Sequence, residues 1–102
     1  MSPAELLSSY RRVLELTLQM KALAETEKWD QFMQTEAARR EVLASVEQEK
    51  IGKDEVLREI VQEILDLDRE ITQKVQVWMD ELRSILSQMS TVERLNKAYQ
   101  KR

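Results

Sequence analysis

The chain has 102 residues, with 16 Lys and Arg against 19 Asp and Glu, a net charge of −3, and neither His nor Cys. Those absences remove the commonest general base, thiolate nucleophiles, disulfides and the usual zinc ligands, while the acidic balance argues against nucleic acid as the main partner. One Gly and one Pro give too little punctuation for sheets or long loops, and apolar runs that stop at three residues leave no membrane-spanning segment.

The expected class is therefore all-α, a single domain over residues 1–102, without metal or cofactor and working by protein contacts rather than as an enzyme. The first helix is predicted over about 3–24. Ser2 is placed to cap it, Pro3 suits its first position, and Glu5 stands where a capping box wants its acid. Leu6, Tyr10, Val13, Thr17, Met20 and Ala24 recur at four–three spacing and define one mostly apolar stripe.

A tight turn is predicted near Glu25 to Lys28, with Thr26 as the cap of a second helix over about 28–49. The apolar set of that helix is Trp29, Phe32, Met33, Ala37, Val42, Leu43 and Val46. Trp29, Phe32 and Met33 read as an interior cluster at the end of a bundle. Arg39 and Arg40 project about 100° apart on a helix, so only one can lie at the core edge. Arg40 follows Glu36 by four residues, the favoured orientation for an intrahelical ion pair. The two arginines read as a solvated pair with a packed stem or as ligands for a carboxylate on a partner or substrate.

In "EKIGKDE" the only glycine, Gly52, suits the position after a helix, and Asp54 can cap the next one. The third and longest helix is predicted over about 54–89, with a seam of Leu57, Val61, Ile64, Asp68, Ile71, Val75, Trp78, Leu82, Ile85 and Met89. The steps alternate four and three, as in a coiled coil. Asp66, Asp68 and Glu70 lie close together, but carboxylate metal sites in bundles also want His. Asp68 falls on the seam itself, where a polar residue specifies register or marks where the seam meets an opening. Val61, Leu65 and Thr72 form a second ridge beside the seam, wider than one packing contact needs, and could make a groove for an incoming amphipathic helix. Ser90 with Glu93 reads as another capping box, opening a short helix over about 91–101. Its apolar face would hold Val92, Leu95, Ala98 and Tyr99, and its basic face Arg94, Lys97, Lys101 and Arg102. The whole is an antiparallel bundle of three main helices plus that short one. A seam this long could also pair with a second copy, so a homodimer is among the expected states.

Three stretches carry a family resemblance: "EKWD" followed by "QTE" in the second helix, "LDLDREI" and "MDELRSIL" in the third, and "RLNKAYQK" near the end. With the order of helices and the length, they make the chain resemble the FliT-like flagellar export chaperones. The resemblance implies a cytoplasmic chaperone of type III export that binds the C-terminal segment of the filament-cap protein and prevents its premature assembly. It places the cargo surface on Val61, Leu65 and Thr72 of the third helix, with Ile64 and Asp68 alongside. It implies a regulatory tail of Val92, Leu95, Ala98 and Tyr99 that covers the apolar surface, and it gives Tyr99 the contact with the export gate. Related chaperones also contact the export ATPase and a flagellar transcription regulator. The alternative is a helical adaptor or coiled-coil assembly protein with no part in transport.

Overall fold

The computed structural model describes residues 1–100 and contains three helices and, among those residues, no strand: α1 (Pro3–Glu25), α2 (Trp29–Val46) and α3 (Glu55–Gln100). The chain divides into two compact units, Met1–Thr72 and Gln73–Arg102. The first holds α1, α2 and the opening part of α3. The described part of the second is the remainder of α3.

Local chemistry sets the helix ends. The Ser2 hydroxyl accepts from the Glu5 N–H at 3.2 Å, and Pro3 occupies the first turn, where its missing N–H costs nothing. At the other end of α1 the turn is made without glycine. Glu27 takes φ +57°, its N–H donates to the Ala24 carbonyl at 3.2 Å, and the Lys28 N–H donates to the Leu23 carbonyl at 2.8 Å. This is a Schellman closure with Glu27 in the left-handed position. Thr26, expected to cap α2, instead ends α1: its hydroxyl donates back to the Ala22 carbonyl at 2.9 Å. The residue before α2 is Lys28, which makes no side-chain cap.

Helix α2 stops at Val46, three residues before the expected Glu49. Val46 is buried with Leu6 and Leu57, and Leu7, Tyr10 and Ile51 close over that cluster. Gly52 lies six residues past the helix, within the connection, at φ +67°. Its carbonyl accepts from Arg58 Nε at 2.9 Å. Asp54 caps α3 as expected, its carboxylate accepting from the Leu57 N–H at 3.2 Å.

Of the α1 stripe, Leu6, Val13, Thr17, Met20 and Ala24 are buried and Tyr10 is half-buried; Leu16, which the stripe omitted, is buried too. In α2 the Trp29 ring stands edge-on to the buried Phe32 ring, with centroids 5.5 Å apart. Met33 does not join them and is 53% exposed.

One polar group ties the three helices of the first unit together. The Thr17 hydroxyl, fully buried, donates to the Val13 carbonyl at 2.7 Å and accepts from Arg39 Nη1 at 3.2 Å. The same nitrogen donates to Asp68 Oδ1 at 2.6 Å. A second link joins α1 to α3, Lys21 Nζ to Glu70 at 2.8 Å. The Glu70 hydrogen bond and charge raise the lysine pKa, so Lys21 is charged in this link at neutral pH, and the lysine's part in it is lost as pH rises through the raised value.

The expected break near Ser90 is absent. Helix α3 continues to Gln100, and in place of a cap the Thr91 hydroxyl donates to the Ser87 carbonyl of the preceding turn at 3.1 Å. No Gly or Pro follows Gly52 to force a break. The four–three seam also passes from Met89 to Val92 without a slip, so straight continuation keeps its apolar side chains in line. The separate short helix is therefore the last turns of α3, and its proposed basic residues Lys101 and Arg102 lie outside the described residues.

Two measurements follow. Glu27→Gly removes the left-handed penalty and should raise stability by about 0.5–1 kcal/mol, while Gly52→Ala, with nothing within 4 Å of the new Cβ, should lower it by about 1 kcal/mol through backbone strain alone. Urea unfolding gives both signs, and equal effects would contradict the turn geometry. Arg39 and Asp68 should also respond unequally. Asp68→Ala strands a guanidinium whose side chain is 16% exposed and should cost about 2 kcal/mol, whereas Arg39→Met leaves a carboxylate 36% exposed, which water can reach, and should cost about 1 kcal/mol.

Candidate protein-binding surfaces

The residues expected to bind cargo divide sharply once α3 is packed. Ile64 is 7% exposed and belongs to the core of the first unit, and Asp68 is engaged by Arg39. Neither presents itself to an incoming segment. Their places on the seam explain this: a buried seam points its residues at α1 and α2, not at solvent.

The outward ridge keeps the other three. Val61 is half-buried, Leu65 is 48% exposed and Thr72 is exposed, with its hydroxyl donating to the Asp68 carbonyl at 2.7 Å. At 100° per residue Val61, Leu65 and Thr72 fall within about 40° of one another. The flank farther from the core is polar: Gln62 donates to Asp66 at 3.0 Å and Arg69 reaches the same carboxylate at 3.4 Å. A narrow apolar strip bordered by a hydrogen-bonded polar row can seat one edge of an amphipathic helix.

Arg40 pairs with Glu36 as its spacing predicts, at 2.5 and 2.7 Å to the two carboxylate oxygens. Arg39, one of the two arginines read from sequence as a solvated pair or as ligands for a foreign carboxylate, binds a carboxylate of its own chain. The signal that could have found this was present: Thr17 and Asp68 are polar residues on two apolar stripes, and a polar group at a core position needs a partner.

On the outer side of α1 and α2 lies an open groove of about 480 Å³, lined by Gln19, Ala22, Leu23, Gln31, Gln34 and Thr35. Its walls are neutral, and no sequence pattern pointed to it.

In the second unit the picture reverses. Val75 and Trp78 are half-buried, but every described residue from Met79 onward is exposed. Leu82, Ile85, Leu86, Met89, Val92, Leu95 and Tyr99 are between 36% and 73% exposed and lie along one side of the helix. Val92, Leu95 and Tyr99 share a face, as expected for the tail. Ala98 stands about 100° away from Tyr99 on the helix, off that face, with Arg94 and Lys97 on the opposite side. Among the described residues no group of three or more acidic side chains is arranged to hold a metal ion, and no helix is long and apolar enough to cross a membrane.

The arrangement has the means for protein binding: exposed apolar strips with polar borders, set on helices. A family model described as the flagellar protein FliT matches residues 7–101. No curated protein and no solved structure gives a significant match to the chain. The match takes in α1 from its second turn onward, all of α2 and all of α3, and the chain belongs to the FliT family of flagellar proteins.

Proposed function

We propose that this protein is a cytoplasmic chaperone of flagellar type III export, with the C-terminal segment of the filament-cap protein as its cargo. The observation that carries the reading is family membership over nearly the whole chain, joined to an exposed apolar strip on α3 that the first unit leaves open. Holding an aggregation- or assembly-prone segment requires a site that covers its apolar face, and it needs no catalytic group.

The contacts within the first unit run in a consistent order. Leu6 meets Val46 and Leu57 at one end, and Thr17, Arg39 and Asp68 meet farther along. We read this as an antiparallel, up-down-up bundle in which α1 and α2 brace α3. The cargo segment then lies along Val61, Leu65 and Thr72, with Ile64 and Asp68 supporting the strip from inside. Leu65 is the central contact. Thr72 offers a methyl group and no charge.

Tyr99, 73% exposed, is the side chain proposed for the export gate, with Val92 and Leu95 beside it. Since α3 runs unbroken to Gln100, the tail acts as an extension of the cargo-binding helix rather than as a separate cover. Gate and cargo then occupy different stretches of one helix. Contacts with the export ATPase and with a flagellar transcription regulator belong to the same proposal, on the exposed surfaces of α3. The second reading, a helical assembly protein without a transport role, is favoured by one observation: the seam continues into the second unit and is exposed there.

Calorimetry with a peptide of the cap protein's C-terminus separates the two. The chaperone reading expects one-to-one binding that Leu65→Asp weakens by at least about tenfold, equivalent to about 1.4 kcal/mol, with an unchanged urea midpoint. An assembly protein would give no binding to this peptide. Ending the chain before Thr91 should leave cargo affinity intact and abolish capture by the cytoplasmic domain of the export gate. Loss of cargo binding in that shortened, still-folded chain would contradict the separation of the two surfaces.

A further inference from the structure

Charge is spread unevenly along the chain. Beyond Arg83 there are four Lys and Arg against one Glu, a net of +3, whereas residues 1–83 hold 12 against 18, a net of −6. Arg69 meets Asp66 at 3.4 Å and Arg83 meets Asp80 at 3.3 Å, but among the described residues no carboxylate pairs with Arg94 or Lys97. The apolar side chains of the same stretch, Ile85, Leu86, Met89, Val92, Leu95 and Tyr99, are each more than half exposed. At 100° per residue they span an arc of about 180°. Arg94 and Lys97 lie together on the remaining side, with Ser87, Ser90 and Thr91.

We propose that the end of α3, from Ile85 to Tyr99, binds the surface of an anionic lipid bilayer. The helix lies in the plane of the interface, its apolar arc enters the headgroup boundary, and Arg94 and Lys97 stay among the lipid phosphates. The pattern of charge and width chooses this occupant. A groove on a protein takes a narrow ridge, whereas a bilayer surface is flat and soft and takes half the circumference of a helix. The polar side carries two cations and small hydroxyls and no acid, so nothing on it is repelled by a negative surface. Long Arg and Lys stems can also reach around the helix toward the phosphates.

Two polar side chains, Glu93 and Asn96, fall inside the apolar arc. They keep the helix at headgroup depth and the binding reversible, in keeping with a chain that has no helix able to cross a membrane among its described residues. Tyr99, 73% exposed, has the ring-and-hydroxyl make-up of a residue that settles at the headgroup level. The net −6 of residues 1–83 is repelled by the same surface, which confines the contact to the end of the helix. The inference goes beyond the export reading and does not rest on it, because a vesicle carries no cargo and no gate. Tyr99 belongs to both, so a lipid-bound end and a gate-bound end are alternative states.

Co-sedimentation of the full chain with vesicles tests this. Vesicles of phosphatidylcholine with about one-third phosphatidylglycerol should bind it at least about tenfold more tightly than phosphatidylcholine alone, and salt at about 0.5 M should remove most of the difference. The double change Arg94→Glu, Lys97→Glu should abolish binding. The control Lys28→Glu, Lys53→Glu alters net charge equally at two exposed sites in the first unit and should leave most of it. Val92→Asp should weaken binding, and Glu93→Gln should strengthen it by about threefold, all with an unchanged urea midpoint. No binding, equal binding to neutral vesicles, or equal loss in the two double variants would overturn the proposal. So would binding indifferent to Val92→Asp, which would mean charge attraction without an inserted face. Soluble polyglutamate displacing the chain from vesicles as well as excess anionic vesicles do would assign the face to an acidic protein instead.

Discussion

Arg39 is the constraint on which the first unit depends. Its terminal nitrogen reaches one hydroxyl on α1 and one carboxylate on α3. Apolar stripes alone would let three helices slide and rotate by small steps at little cost, since one Leu packs much like another. A hydrogen-bonded group drawn from three helices permits one register, because a slip of one turn takes the Arg39 guanidinium away from both Thr17 and Asp68. Thr17 sets the depth, being wholly buried. Asp68 sets the phase of α3, and that phase decides which ridge of the helix faces outward. The exposure of Leu65 and Thr72 is thus a consequence of where Asp68 points.

From this follows a division of labour along α3. In the first unit the seam residues Leu57, Ile64 and Ile71 are consumed by packing, and the neighbouring ridge is left open. In the second unit the seam residues from Leu82 onward are exposed, and there the seam itself becomes the available surface. One helix with a constant apolar period therefore offers two different surfaces, one beside the seam and one upon it. A small helical protein can in this way hold one partner along a strip and meet another at its end.

Much of this was legible in the residues. Ser2 with Pro3, Asp54 and the four–three stripe of α1 each state a local rule, and each rule operates without help from distant parts of the chain. The turn at Glu27 was placed correctly without its mechanism, since a glutamate gives no sign of accepting a left-handed backbone until the carbonyls of Leu23 and Ala24 call for donors. The misplacements have a common cause. Ser90 with Glu93 has the composition of a cap, but a capping box forms only where the chain enters a helix from non-helical backbone, and at Ser90 the backbone is already helical. Met33 has the right residue type for a core, but α2 turns it outward. Ile64 and Asp68 were expected beside the cargo ridge, but a place on the apolar side of a helix does not say what covers that side. The Arg39 contact joins residues 22 and 29 positions apart, a separation at which no local pattern operates.

The central claim is that the ridge beside the seam, in the first unit, receives the exported segment. A methyl-resolved NMR titration with the C-terminal segment of the filament-cap protein tests it most directly. The account predicts that the methyl signals of Val61, Leu65 and Thr72 shift and saturate together, while those of Val13 and Val46 in the core hold their positions. Saturable shifts confined to the neutral groove between α1 and α2, or to the second unit, with Leu65 unmoved, would contradict it.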